Sequence, residues 1–128
     1  MFDWDSVIHA CTRADLVADG DLVEIPWIVS NSVGLKWPVA FTRAAWLTVM
    51  DGTGEERWPE AADPLTETLL AERATRALTA AVQTVATTAS RASRIAFDVP
   101  LYGVTLHLHV GPGDDGAPVF TVLMPDED

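Results

Sequence analysis

The sequence predicts an α+β fold over residues 1–128, read as a single domain. Its parts are an antiparallel sheet with a C-terminal β-hairpin, one long helix packed on it, and small N-terminal helices. Three observations carry this. Val104 to Val110 alternates apolar and polar at period two, and after a glycine-rich link Pro118 to Met124 is apolar on both faces except at Thr121. From Asp63-Pro64 to about Ser90 nothing breaks a helix. The N-terminal third holds short segments with their own start and stop signals.

Thr12-Arg13-Ala14-Asp15 opens the first helix, with Thr12 as cap, Asp15 near the positive end of the dipole and Gly20 as the left-handed stop. Cys11, just before the cap, reads as a small packing residue. Leu22-Val23-Glu24-Ile25 is a short strand, and Pro26 suits the first turn of a small helix containing Trp27, Ile28 and Val29, with Gly34 after it. Trp37-Pro38-Val39-Ala40-Phe41 is a strand or extended entry, because Pro38 forces Trp37 out of the helical region. Thr42-Arg43-Ala44 repeats the first helix start and opens a helix through Met50 that buries Ala45, Trp46 and Val49.

Asp51 to Asp63 is a turn-rich acidic loop that Trp58-Pro59 can pin to the body. The long helix then recurs in Leu65, Leu69, Leu70, Ala74, Leu78, Ala81, Val82, Val85 and Ala89 at three- and four-residue steps, a narrow apolar stripe. Its small residues, Ala74, Ala77, Ala81 and Ala89, also permit close approach of a second helix. Arg94 to Val99 is a strand, Pro100 to Gly103 a turn, and the hairpin follows. A hairpin at the chain end is expected to leave an edge strand needing cover, which together with the small helix residues predicts a homodimer.

Composition bounds the function. Apolar residues make up 48% of the chain and five are tryptophan, enough for a core without staples. One cysteine excludes an intramolecular disulfide and a cysteine-built zinc cluster. No apolar run approaches the ~18 residues of a membrane span. The start Met1-Phe2-Asp3-Trp4-Asp5 is acidic where a signal peptide is basic. A cytoplasmic protein is the expectation.

The net charge is −11, and it is laid out in blocks: −5 over residues 1–24, +2 over 25–50, −5 over 51–73, +3 over 74–97 and −6 over 98–128. Such a field repels nucleic acid and anionic membrane and attracts basic surfaces. Solubility alone would also account for it.

Chemical motifs are sparse. His107 and His109 share one strand face at a spacing of ~6–7 Å, half of a metal site that His9, Asp98 or Asp114 could complete. The competing reading is two histidines on the wetter face beside Thr105. Gly111-Pro112-Gly113-Asp114-Asp115-Gly116 lacks the oxygen spacing of a calcium loop and the lysine and following helix of a phosphate loop, so it reads as a turn. Asp3/Asp5, Glu55/Glu56 and Glu60/Asp63 read as solvated carboxylates. There is no Gly-x-Ser-x-Gly, no dinucleotide fingerprint and no basic patch with interleaved aromatics. No cofactor and no catalytic residue is assigned.

Thr12-Arg13-Ala14, Asp19-Gly20, Leu22-Val23, Trp37-Pro38-Val39-Ala40, Thr42-Arg43-Ala44 with Trp46, and the ending Gly111 to Gly116 through Leu123-Met124-Pro125-Asp126-Glu127-Asp128 resemble an uncharacterised family of small proteins. Its members are encoded on bacterial plasmids, phages and integrated elements. The resemblance covers about two-fifths of the chain. It implies a mobile-element setting, where accessory and anti-defence proteins are common, and it implies no site residues.

The expected function is that of a non-enzymatic protein binding a basic protein surface. The concrete form is an inhibitor of a nucleic-acid-binding defence enzyme, of anti-CRISPR or anti-restriction type, with carboxylates in place of phosphates. The expected recognition groups are Glu55, Glu56, Glu60, Asp63, Asp114, Asp115, Asp126, Glu127 and Asp128. They divide into two surfaces, the 51–63 loop with the first turn of the long helix, and the hairpin tip with the tail. Trp4, Trp27 and Trp58 are the candidates for an apolar interface instead. The rival reading is a metal- or small-ligand-binding protein centred on His107 and His109.

Overall fold

The computed structural model describes residues 12–50, 58, 63–87, 93–99 and 103–127. In chain order the elements are α1 (Arg13–Asp19), β1 (Leu22–Glu24), α2 (Trp27–Ser32), β2 (Val39–Thr42), α3 (Arg43–Val49), α4 (Pro64–Thr87), β3 (Arg94–Val99), β4 (Val104–Pro112) and β5 (Pro118–Leu123). The fold is α+β: one five-stranded sheet, the long helix α4 and short helices.

The strand order is β1-β2-β5-β4-β3. β4 and β5 form the hairpin, paired from His107↔Leu123 to Pro112↔Pro118. Three of the four pairings are antiparallel, and β2 with β5 is parallel. The sequence places an edge at the hairpin. The structure puts both hairpin strands inside the sheet, and the edges are β1 and β3. The reason lies in β5, which is apolar on both faces and is fully satisfied only with a strand on each side and cover above and below.

Residues opposite one another share a face. Val23, Phe41, Val122 and Leu108 fall in one row of the first face. With Val99, Phe97 and Leu106 they belong to the main core, which also holds Ala45, Trp46 and Val49 of α3 and Leu70, Ala74, Ala77, Leu78 and Ala81 of α4. Trp46 meets Phe41 edge-on at 5.9 Å and Trp58 at 6.0 Å between ring centroids. An Arg73 Nη1 donates to the carbonyl of Val49 at 3.1 Å, joining α4 to the end of α3.

The α4 stripe reaches the core only in its middle. Leu65, Leu69 and Val85 are exposed. A helix of 24 residues is ~36 Å long, against ~20–24 Å across five strands, so its ends overhang. Ala74, Ala77 and Ala81 are buried against the chain's own sheet. They are therefore closed to a second helix.

The second face carries Glu24, Ala40, Thr121, His109 and Arg94 in one row and Leu123, His107 and Ala96 in the next. Leu22, Ala40, Val119 and Leu123 are buried there, outside the main core. α1 packs on this face. The Arg13 guanidinium donates to Thr121 Oγ1 at 2.9 Å and to the carbonyl of Phe120 at 2.8 Å. Thr12 and Asp15 form a reciprocal capping box, and Gly20 at φ 84° ends α1.

Candidate functional site

The hairpin link folds as a tight turn. The Gly113 amide donates to the Ala117 carbonyl at 2.7 Å, Asp115 Oδ1 accepts from the Ala117 amide at 3.0 Å, and Gly116 has φ 83°. This geometry aims Asp114 at the start of α1. Its Oδ1 accepts from the Arg13 amide at 2.7 Å and its Oδ2 from the Ala14 amide at 3.1 Å. Both amides belong to the first turn, where helix donors have no partner within the helix. The hairpin tip is thereby locked onto α1 across a separation of 101 residues.

One consequence is a continuous acidic band. Asp115 and Asp114 stand at the N-terminal end of α1, Asp15 and Asp19 lie four apart along it, and Asp21 and Glu24 follow at β1. All six are exposed. Arg13 is the base among them, and its guanidinium is turned inward onto β5. Its pKa is lowered by burial, against the opposing pull of Glu24 and Asp114. The band ends where Leu22 pairs with Thr42, whose Oγ1 donates to Glu127 Oε1 at 2.6 Å. Arg43 lies at this end and offsets part of the charge, its amide donating to the Asp21 carbonyl at 3.0 Å.

The expected recognition groups distribute unevenly. Glu55, Glu56, Glu60 and Asp128, and with them Trp4, lie outside the described residues. Asp63 caps α4: its Oδ1 accepts from the Thr66 amide at 2.7 Å, and that bond holds its carboxyl below the ordinary value. Glu127 Oε1 also accepts from the Met124 amide at 2.8 Å. Asp63, Asp114, Asp115 and Glu127 thus hold local structure through their carboxylates. Asp126 is exposed and makes no hydrogen bond among the described residues. Tip and tail stand at opposite ends of β5, ~17 Å apart, and α1 bridges them. Asp19 and Asp21 were not singled out by the sequence. The signal available there was an acid in the last turn of a short helix.

His107 and His109 share the second face as expected. His107 Nδ1 accepts from Arg94 Nε at 2.6 Å, and Arg94 Nη2 goes on to the carbonyls of Met124 at 3.3 Å and Pro125 at 3.2 Å. Burial first, and the Arg94 charge second, push the His107 imidazole below its ordinary pKa. One of the two ring nitrogens that could take a metal, Nδ1, is already facing a cation. The His109 ring folds over Gly111, where an added Cβ would come within 2.7 Å of Cε1. Among the described residues no three His, Cys, Asp or Glu side chains converge as a ligand set.

Trp27 is exposed, whereas Trp58 is half-buried against Trp46. Among the described residues no helix is long and apolar enough to cross a membrane. Comparison with family models, with curated proteins and with solved structures returns no match.

Proposed function

We propose that this chain is a small acidic interaction protein that acts without catalysis and docks a basic protein surface on the band from Asp115 to Glu24. The observation that carries the reading is the placement of Asp19 and Asp21. α1 has no base in its last turn, and Asp19 in that turn and Asp21 just past the Gly20 cap stand at the negative end of the helix dipole. That arrangement costs stability, so folding does not explain it. Four of the bases are engaged away from the band: Arg13, Arg73 and Arg94 donate to main-chain carbonyls, and Arg76 pairs with Glu72 at 3.0 Å on the surface of α4. The concrete form is an inhibitor of a nucleic-acid-binding defence enzyme, with the band standing in for phosphates. That form rests on the mobile-element resemblance.

The test is a pair of substitutions, Asp19→Lys with Asp21→Lys. They touch no side-chain hydrogen bond and place cations at the favourable end of α1, so the melting temperature should hold or rise slightly. Partners captured from host lysate by the parent chain and identified by mass spectrometry should be lost by the variant. Their association should weaken steeply with salt, and free DNA should compete. Equal capture by both chains, or binding unchanged at half-molar salt where screening cuts the range to ~4–5 Å, refutes the reading.

A further inference from the structure

The outer edge of β3 is unpaired among the described residues. The Val110 amide donates to the Ser93 carbonyl at 2.8 Å, bracketing Arg94↔His109 as a pair without direct hydrogen bonds. Ile95, Phe97 and Val99 therefore turn their backbone groups toward β4. Arg94, Ala96 and Asp98 turn theirs outward. Native edges of this length are normally blunted by charged side chains, proline or a bulge. β3 has no proline and no bulge, and its two charges, Arg94 and Asp98, are engaged by His107 and Thr105.

We infer that the β3 edge is a self-pairing surface, and that its occupant is β3 of a second copy, antiparallel and centred on Ala96. The strand is self-complementary in this register. Ala96, small and exposed, meets Ala96 of the second copy at the two-fold axis, and Arg94 stands opposite Asp98 on either side. The outward backbone groups of these three residues are those that form hydrogen-bonded pairs in this register, six bonds in all by the ladder rule. On the first face the half-exposed Ile95 is covered by Phe97 of the other copy. Moving the axis two residues along the strand sets Asp98 against Asp98 or Arg94 against Arg94, which like-charge repulsion disfavours.

The space beside the edge is compatible. An open groove runs between β3 and the flank of α4, where Ala71, Thr75, Thr79 and Ala80 alternate with the longer Glu72, Arg76 and Gln83. The short side chains leave room for a second helix at ~8–10 Å, and Glu72 and Arg76 are paired with each other. Arg94 reaches inward to His107, and Asp98 Oδ1 accepts from Thr105 Oγ1 at 2.6 Å. Both side chains are thus held flat on the second face, clear of the approaching backbone.

The experiment is sedimentation of the full chain over a concentration series. A mass of twice 13.8 kDa is expected at the top of the series. Ala96→Pro removes an outward amide that the β4 ladder does not use, a position where an edge strand tolerates proline. It deletes two intermolecular bonds and should raise the dimer dissociation constant ~30-fold. Should that variant fail to fold, the register is read another way. With Cys11 replaced by Ser, Ala96→Cys should crosslink between copies on mild oxidation, because Cα atoms of such a pair stand ~5.5 Å apart. Asp98→Cys should not. A parent chain that stays monomeric overturns the inference. So does a dimer in which the Asp98→Cys variant crosslinks and the Ala96→Cys variant does not.

Discussion

Replacing Asp114 by Ala should loosen α1 from the hairpin and lower the melting temperature measurably. The carboxylate satisfies the first two amides of α1 at 2.7 and 3.1 Å, with one oxygen each. Loss of a side-chain cap costs ~0.5–2 kcal/mol, and charged hydrogen bonds lie toward the upper end of net values. The site is exposed, so water compensates part of the loss, and we take about 1–2 kcal/mol. For a chain of this length that is a fall of roughly 3–9 °C. Asp114→Asn keeps one acceptor and loses the charge, so it should fall about half as far. Added salt should narrow the gap between the two variants, since the charge–dipole part is screened. Thermal unfolding gives the magnitude, and amide exchange at Arg13 and Ala14 gives the place. A recognition group with no structural duty would leave both readouts alone. An Asp114→Ala protein melting within about 1 °C of the parent, with α1 protection unchanged, would sink the clamp.

Two further outcomes follow from the packing and the charge layout. Ala77→Leu should destabilise by ~1–3 kcal/mol, because Ala77 is fully buried between α4 and the sheet; a neutral effect would mean that this face of α4 is open. Stability should fall as pH drops below ~6.5 and not change through His107 above it. The sign follows from the lowered pKa: the unfolded chain takes the proton first, and in the folded chain the imidazolium would face Arg94 Nε at 2.6 Å. His107→Asn places an acceptor where Nδ1 stands and removes the titration, so its melting temperature should decline less between pH 7 and pH 5.5. Equal slopes would assign the decline to other groups.

What was legible in the sequence was mostly local. The caps at Thr12, Thr42 and Asp63, the stop at Gly20, and the bounds of β3 depend on residues a few positions apart, and each appears where its signal stands, whereas β4 runs on through Gly111 to Pro112 of the expected link and β5 ends one residue early at Leu123. What was not legible depends on partners far along the chain. The parallel pairing of β2 with β5 joins Val39 to Phe120, and no period in either segment announces it. The role of Asp114 was hidden for the same reason. Its neighbours Gly113 and Asp115 say turn, while its ligands are the amides of Arg13 and Ala14. The α4 stripe was over-read at both ends because a heptad-like pattern reports which side of a helix is apolar, and not how wide the sheet beneath it is.

The two proposed surfaces constrain each other. A two-fold axis at Ala96 stands perpendicular to the sheet, so both copies present their second faces, and therefore both α1 bands, on the same side. Strand order sets the spacing. α1 is tied to β5 through Arg13 and packs against β1, the third and fifth strands in from the β3 edge. At ~4.8 Å per strand this puts the two bands ~24–43 Å apart. That range includes one turn of duplex DNA, the ~34–36 Å separating half-sites read by a two-fold protein. A partner with that symmetry would meet two acidic bands at the spacing of its two basic surfaces, and would gain avidity that a one-armed partner would not. The acidic band does not require the pair, since each copy carries all six of its carboxylates. The pair would instead select which partners the band holds well.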